Sequence, residues 1–327
     1  MKAVLCKAFG PPESLVVEEV ASPAAGAGQV VVSVRACGVN FPDTLIIEGK
    51  YQFKPPLPFS PGGEVAGVVK AVGPDVTHVR VGDRVIASSA FGGYAEEVVT
   101  SAGALIPIPD GMNFDVASAV VMTFGTCIHA LRDRANIQPG ERLLVLGAAG
   151  GIGLAAVELG KLLGAHVIAA ASSDEKLAVC REYGADETIN YRTEDLRERV
   201  KTLTGGQGVD VVVDPVGGEY AEAALRGMAW NGRYLVIGFT AGEIPRIPLN
   251  LPLLKGCAVV GVFWGSFVAR DPERNRAHIN QVLEWLTSGK LRARISARYP
   301  LEQAAAALNA IINRTVTGKV ILVPTTQ

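Results

Sequence analysis

Three observations in the 327-residue sequence predict an α/β fold class in two parts. Short apolar runs of period 2 fill the chain up to about Val120, strands and helices alternate after residue 142, and one glycine-rich turn joins a strand to a helix. Period-2 runs divided by Gly and Pro predict an all-β, barrel-like module, whereas strand–helix alternation predicts a doubly wound parallel sheet.

The runs of the first part are residues 3–9, 15–20, 29–36, 64–72, 84–88 and 94–100. In 29–36, Val30, Val32, Val34 and Ala36 face one way while Val31, Ser33 and Arg35 face the other. After Asp115 a helix-like stretch runs through Ala130, followed by strand 142–147, helix 152–163, strand 166–171 and helix 175–183. Strands at 187–190, 209–214, 232–238 and 258–263 bring the second part to six, as a doubly wound fold requires. Helices at 275–288 and 301–313 and a closing strand 319–324 complete the chain, with no internal repeat.

Lys plus Arg (31) nearly balance Asp plus Glu (32), so no overall positive field gathers nucleic acid or an anionic membrane. The most apolar stretch, 143–172, is interrupted by Gly150, Gly151, Gly153, Glu158, Lys161 and His166, which argues against a membrane span. Residues 1–9 alternate rather than forming a charged segment before an apolar one, so no signal peptide is expected. Five separated cysteines, none in a C-x-x-C pair, suit a reducing compartment, and a cytoplasmic protein is expected. The histidines, His78, His129, His166 and His278, are scattered and suggest no metal cluster.

The glycine turn is Gly147-Ala148-Ala149-Gly150-Gly151-Ile152-Gly153, after the strand residues Leu143, Leu144, Val145 and Leu146. A dinucleotide pyrophosphate must approach free amides at the positive end of a helix, and a side chain at Gly150 would block it. Ala149, Gly150, Gly151, Ile152 and Gly153 are therefore expected to bind the coenzyme. An acidic residue about 20 positions on would hold a ribose 2′-hydroxyl and repel a 2′-phosphate. That place holds Ser172 and Ser173, with Lys176 one helical turn later and Tyr191 after the next strand, which favours NADPH. Residues 172–175 also read as a capping box, and Asp174 leaves NADH open.

With these residues in hand, the chain resembles the zinc-independent quinone oxidoreductase (zeta-crystallin-like) family of the medium-chain dehydrogenase/reductases along essentially its full length. The resemblance rests on Ala36-Cys37-Gly38-Val39-Asn40-Phe41-Pro42-Asp43, Leu57-Pro58-Phe59-Ser60-Pro61-Gly62-Gly63-Glu64-Val65-Ala66-Gly67, Val81-Gly82-Asp83-Arg84-Val85, Gly92-Gly93-Tyr94-Ala95-Glu96 and the glycine turn. Metal-dependent relatives carry a zinc-binding Cys at the place of Asn40 and a His before the glutamate, where this chain has Gly63-Glu64. Their four-cysteine lobe is missing as well, so no zinc site is expected.

The resemblance implies a GroES-like β-barrel catalytic domain of residues 1–122 and 265–327, with a Rossmann domain of 123–264 between its parts. It implies an edge strand at 258–264 that pairs with a second copy, hence a homodimer. It also places Asn40, Asp43 and Tyr51 at the catalytic site and Thr126 on the nicotinamide side, with Gly238, Phe239, Phe263 and Trp264 lining the coenzyme site. Tyr51 is expected to stabilise or protonate a developing oxyanion and Asn40 to donate an amide hydrogen bond. Asp43 also reads as a loop-orienting residue, and Phe263 and Trp264 also read as core or dimer packing.

The implied activity is an NADPH-dependent reductase passing hydride to a quinone without metal. An enoyl or alkenal reductase is the alternative, since it uses the same geometry but must protonate carbon. Arg270, Arg274 and Arg276 could serve an enoyl thioester, or be a solvated helix start. A non-catalytic nucleotide- or RNA-binding role is the third reading, disfavoured by the near-neutral charge.

Overall fold

In a computed structural model that describes residues 1–324, Val30, Val32 and Val34 enter one apolar core from the strand Gln29–Gly38. Val31 is buried as well, so this strand is covered on both faces where it pairs with Glu64–Val72 on one side and Glu97–Ser101 on the other. The sheet runs Ile295–Pro300, Lys319–Val323, Gln29–Gly38, Glu64–Val72, Arg84–Ser88, Leu105–Pro107, and only its first two strands pair in parallel. These strands belong to one unit, Met1–Met122 together with the chain from Ala293 onward.

A helix that the period-2 reading passed over, Phe41–Ile47, lies in this unit directly after Gln29–Gly38. Pro42 stands in its first turn, where a missing N–H costs nothing, and Asp43 reaches back from the third helical position to the N–H of Asn40 at 2.8 Å. At Gly38 a Cβ would lie 2.2 Å from the Ser118 carbonyl, so only glycine permits that approach.

The second unit, Thr123–Arg292, is built on an all-parallel sheet in the order Glu187–Asn190, His166–Ala171, Arg142–Leu146, Val209–Asp214, Met228–Val236, Ala258–Gly261. Leu143, Leu144, Val145 and Leu146 are all buried, as expected of a strand covered by helices on both faces. The order reverses between Arg142–Leu146 and Val209–Asp214, and ligands of such folds bind beyond the carboxyl ends of strands at that point.

Two expected boundaries differ. The chain returns to the first unit at Ala293 rather than at 265, because the helix Pro272–Thr287 packs within the second unit: Arg132 lies over the Trp285 ring and Arg274 pairs with Asp133. Of the expected range 265–327, residues 325–327 lie outside those described. The edge strand ends at Gly261; Val262 still donates to the Val236 carbonyl, but a helix, Trp264–Arg270, begins directly after Phe263. Among the described residues no helix is long and apolar enough to cross a membrane.

Candidate active site and coenzyme loop

The expected residues divide between the two units. In the second, the turn after Arg142–Leu146 bends at Gly147 with a φ of 58°, and Gly150 caps the 12-residue helix Gly151–Leu162. A Cβ at Gly153 would stand 2.2 Å from the Gly147 carbonyl oxygen and 2.6 Å from Ala148 Cα, so helix and turn are packed backbone on backbone. At Gly150 a Cβ would meet only the Gly147 carbonyl, at 3.4 Å. The two glycines therefore differ in purpose: Gly153 closes the fold, and Gly150 keeps its outer side open beside the first-turn amides, which have no partner inside the helix. This turn fits a pyrophosphate.

The carboxyl ends of the neighbouring strands bring three further residues together. Ser172 follows His166–Ala171, Ser173 caps the helix Asp174–Glu182, and Lys176 donates from Nζ to Ser172 Oγ at 3.2 Å. Tyr191 follows Glu187–Asn190, which pairs with His166–Ala171 so that Asn190 lies opposite Ala171. Its ring packs on Tyr220 at 4.4 Å. The Asp174 carboxylate accepts from Asn190 Nδ2 at 2.9 Å, so an ammonium and a hydroxyl, with the acid engaged elsewhere, stand at the end of the second strand.

Thr126 is buried on the helix Val121–Ile128, and Cys127 beside it donates to the Ile152 carbonyl at 3.2 Å, which ties this helix to the glycine-loop helix. Gly238 donates from its backbone to the Asp214 carbonyl, and Phe239 lies so close to Gly217 that a Cβ there would be 2.9 Å from its ring. Phe263 is exposed. Trp264 is held in the fold: its indole N–H donates to Asn275 Oδ1 at 3.2 Å, and a Cβ at Gly125 would be 3.0 Å from its ring. Of the three arginines, Arg274 pairs with Asp133, and Arg270 donates to Ser266 Oγ at 3.0 Å.

In the first unit Asn40, Asp43, Glu64, Tyr94 and Lys319 form one buried polar cluster. Asp43 Oδ2 accepts from the Asn40 backbone N–H at 2.8 Å and from the Tyr94 hydroxyl at 2.9 Å. Asn40 donates its side-chain amide to the Gly38 carbonyl at 3.2 Å and to Glu64 Oε2 at 3.1 Å, and its Oδ1 accepts from Lys319. The Lys319 ammonium also donates to the Val39 carbonyl at 3.0 Å and lies 3.5 Å from Glu64 Oε2, while Glu64 Oε1 accepts from Met122 N–H at 3.0 Å.

Burial drives the electrostatics. It pushes the Asp43 carboxyl up to about 6; the Asn40 N–H, the Tyr94 hydroxyl and Lys319 oppose that rise, and Glu64 adds to it. Tyr51 is half-buried, and its phenol is raised by burial and then by the Asp43 charge, so it is a protonated donor at neutral pH within the field of that carboxylate. Glu64, Tyr94 and Lys319 were not singled out as site residues. A sequence signal for two of them exists: Lys319 is the lone charge of the strand Lys319–Val323, and Glu64 opens the strand Glu64–Val72, whose next five residues are uncharged. Among the described residues no group of three or more His, Cys, Asp or Glu is placed to hold a metal.

The alcohol dehydrogenase GroES-like domain profile matches residues 26–110, and the zinc-binding dehydrogenase profile matches 151–288. Quinone oxidoreductase-like protein 2 homolog of Nematostella vectensis is 43% identical over 325 residues, covering 98% of this chain and 88% of that protein. The crystal structure of Escherichia coli quinone oxidoreductase complexed with NADPH superposes with a TM-score of 0.93 at 32% identity, over 99% of this chain and 100% of that one. A 2-haloacrylate reductase structure superposes with a TM-score of 0.85 at 30% identity, over the full length of both.

Proposed function

Because the chain belongs to the zinc-independent quinone oxidoreductase family of the medium-chain dehydrogenase/reductases, we propose that it is an NADPH:quinone reductase that works without zinc. Bound NADPH supplies the reducing hydride. Its pyrophosphate is held by the backbone of Ala149, Gly150, Gly151, Ile152 and Gly153, and its 2′-phosphate by Ser172, Lys176 and Tyr191. Thr126, Gly238, Phe239 and Phe263 line the rest of its path, and Trp264 packs over Gly125 beside Thr126. The observation that carries the coenzyme choice is the Lys176 ammonium against Ser172 at the end of the second strand, with Asp174 engaged by Asn190.

On the acceptor side Tyr51 is the hydrogen-bond donor to the developing oxyanion, kept protonated by its surroundings. Asp43 sets the field around that phenol. Asn40 acts by position: both ends of its amide are engaged by Gly38, Glu64 and Lys319, so it fixes Asp43 through its backbone N–H instead of reaching an acceptor.

The likeness to a 2-haloacrylate reductase supports a second reading, reduction of a C=C bond conjugated to a carbonyl, in which Tyr51 matters more because carbon must be protonated. A panel of ortho- and para-quinones, an alkenal and an enoyl-CoA, run with wild type and Tyr51→Phe, separates the two. Quinone turnover lowered by the variant with alkenal turnover abolished supports both roles; quinone turnover at the wild-type level restricts Tyr51 to the alkenal reaction, and a variant indistinguishable from wild type on every acceptor removes Tyr51 from the mechanism.

The protein acts as a cytoplasmic homodimer in this reading. The edge strand Ala258–Gly261 leaves Val259 47% exposed, and Trp230, Leu249, Leu253 and Leu254 of the same unit are exposed too, an apolar surface suited to a second copy. All five cysteines are free and buried, as a reducing compartment permits. Sedimentation of wild type and Val259→Asp tests the dimer, and a wild type that sediments as a monomer removes it.

A further inference from the structure

We propose that Phe53 and Phe91 form a stacking platform that makes this protein select flat, extended acceptors over small ones, an inference that rests on reading the Asp43–Tyr51 cluster as the acceptor site. The two rings lie 20° from parallel with centroids 6.0 Å apart, and Phe91 in turn meets the buried Phe59 edge-on at 6.0 Å. Both distances fall within the range, about 4.5–7 Å, at which aromatic rings attract through offset or edge-to-face geometry.

The stack is anchored at one end and open at the other. Phe59 exchanges backbone hydrogen bonds with Cys6 at 2.8 and 3.2 Å. The Phe91 carbonyl accepts from Ser89 Oγ at 2.8 Å, and Gly92 after it donates to Ser60 at 2.7 Å. Phe53, outermost, is 46% exposed. Removing apolar surface from water is favourable, so a ring left half in water on this stack keeps surface that a flat partner can cover.

The stack and the polar cluster share the same chain segments. Phe53 is two residues from Tyr51, a span of at most about 7 Å, and Phe91 is three residues from Tyr94, at most about 11 Å. Tyr94 donates to Asp43, and the Asp43 charge acts on the Tyr51 phenol. A fused two-ring quinone bound at Tyr51 can therefore lay its second ring on Phe53, whereas a three- or four-carbon alkenal has no ring to stack.

The test uses 1,4-naphthoquinone and crotonaldehyde with wild type, Phe53→Leu and Phe53→Tyr. Phe53→Leu should lower the ratio of kcat/KM for naphthoquinone over crotonaldehyde about three- to tenfold, and Phe53→Tyr should restore it. Equal loss on both acceptors, or a tyrosine variant no better than the leucine one, overturns the platform. Equilibrium dialysis of naphthoquinone against the coenzyme-free proteins gives an independent reading. If no acceptor is reduced, the reading of the Asp43–Tyr51 cluster fails, and the platform is judged on dialysis: weaker retention by Phe53→Leu supports it, equal retention overturns it.

Discussion

The Tyr94 hydroxyl donates to Asp43 Oδ2 at 2.9 Å, joining two buried side chains 51 residues apart in sequence. The geometry around Tyr94 is demanding: at Gly62 a Cβ would lie 2.3 Å from its ring, so Gly62 is needed for the tyrosine to reach Asp43. Tyr94→Phe should move the Asp43 titration to higher pH, because the lost hydroxyl stabilised the ionised form. It should cost about 1.5–3 kcal/mol of stability at pH 8, the worth of a hydrogen bond to a charged group. Carboxyl NMR titration checks the first part and chemical denaturation the second; an unmoved Asp43 resonance would remove the coupling.

Asp43 also gives stability a pH dependence of definite sign. Its carboxyl sits at about 6 in the folded chain against an ordinary 3.8, so the unfolded state loses its proton first and stability falls as pH rises from about 4 through 6. Two pH units of such displacement correspond to about 3 kcal/mol. Asp43→Asn keeps an acceptor for Tyr94 and Asn40 but cannot ionise, so the variant should lack this decline. Parallel wild-type and variant stability curves between pH 4 and pH 7 would contradict the assignment.

Lys319 and Glu64 are both buried, with Glu64 only 1% exposed. Removing one partner of such a pair strands the other charge, which costs about 3–5 kcal/mol. Lys319→Met should therefore be strongly destabilised, and adding Glu64→Gln should recover much of the loss. A double variant as unstable as the sum of its single changes would mean the pair acts only through packing.

The two glycines of the coenzyme turn should separate stability from binding. Gly153→Ala places a methyl against backbone at 2.2 Å and should cost about 1–3 kcal/mol or more. Gly150→Ala meets only one carbonyl, at ordinary contact distance, so it should melt within a few degrees of wild type yet bind NADPH at least about tenfold more weakly. Calorimetric melting and titration measure the two quantities; a Gly150→Ala protein that binds normally would displace the pyrophosphate from this turn.

How far the sequence reaches can be judged from particular elements. The strands His166–Ala171, Glu187–Asn190 and Val209–Asp214 were legible to the residue: the first is an apolar run after its opening His166, and the other two follow from the regular alternation of strands with helices. The helix Phe41–Ile47 was missed because Pro42 and the apolar tail read as loop, although Asn40 with Asp43 three residues on is a capping pattern. Trp264 was expected at the end of a strand but opens the helix Trp264–Arg270, with its ring over Gly125, a contact that no local pattern announces.

The buried polar cluster of the first unit was only partly legible: Asn40 and Asp43 lie close in the chain and came, with Tyr51, from motif resemblance. Their partners Glu64, Tyr94 and Lys319 come from three other strands or loops, and Lys319 joins Asn40 across 279 positions, a pairing that no local pattern encodes.

NADPH consumption with 1,4-benzoquinone by chelator-treated, metal-free protein separates zinc-independent hydride transfer from metal-assisted chemistry. Turnover should proceed at the untreated rate, with NADPH favoured over NADH by at least about tenfold in kcat/KM through Lys176. Activity that vanishes on chelation and returns with zinc, or a preference for NADH, would contradict the zinc-independent, NADPH-dependent reading.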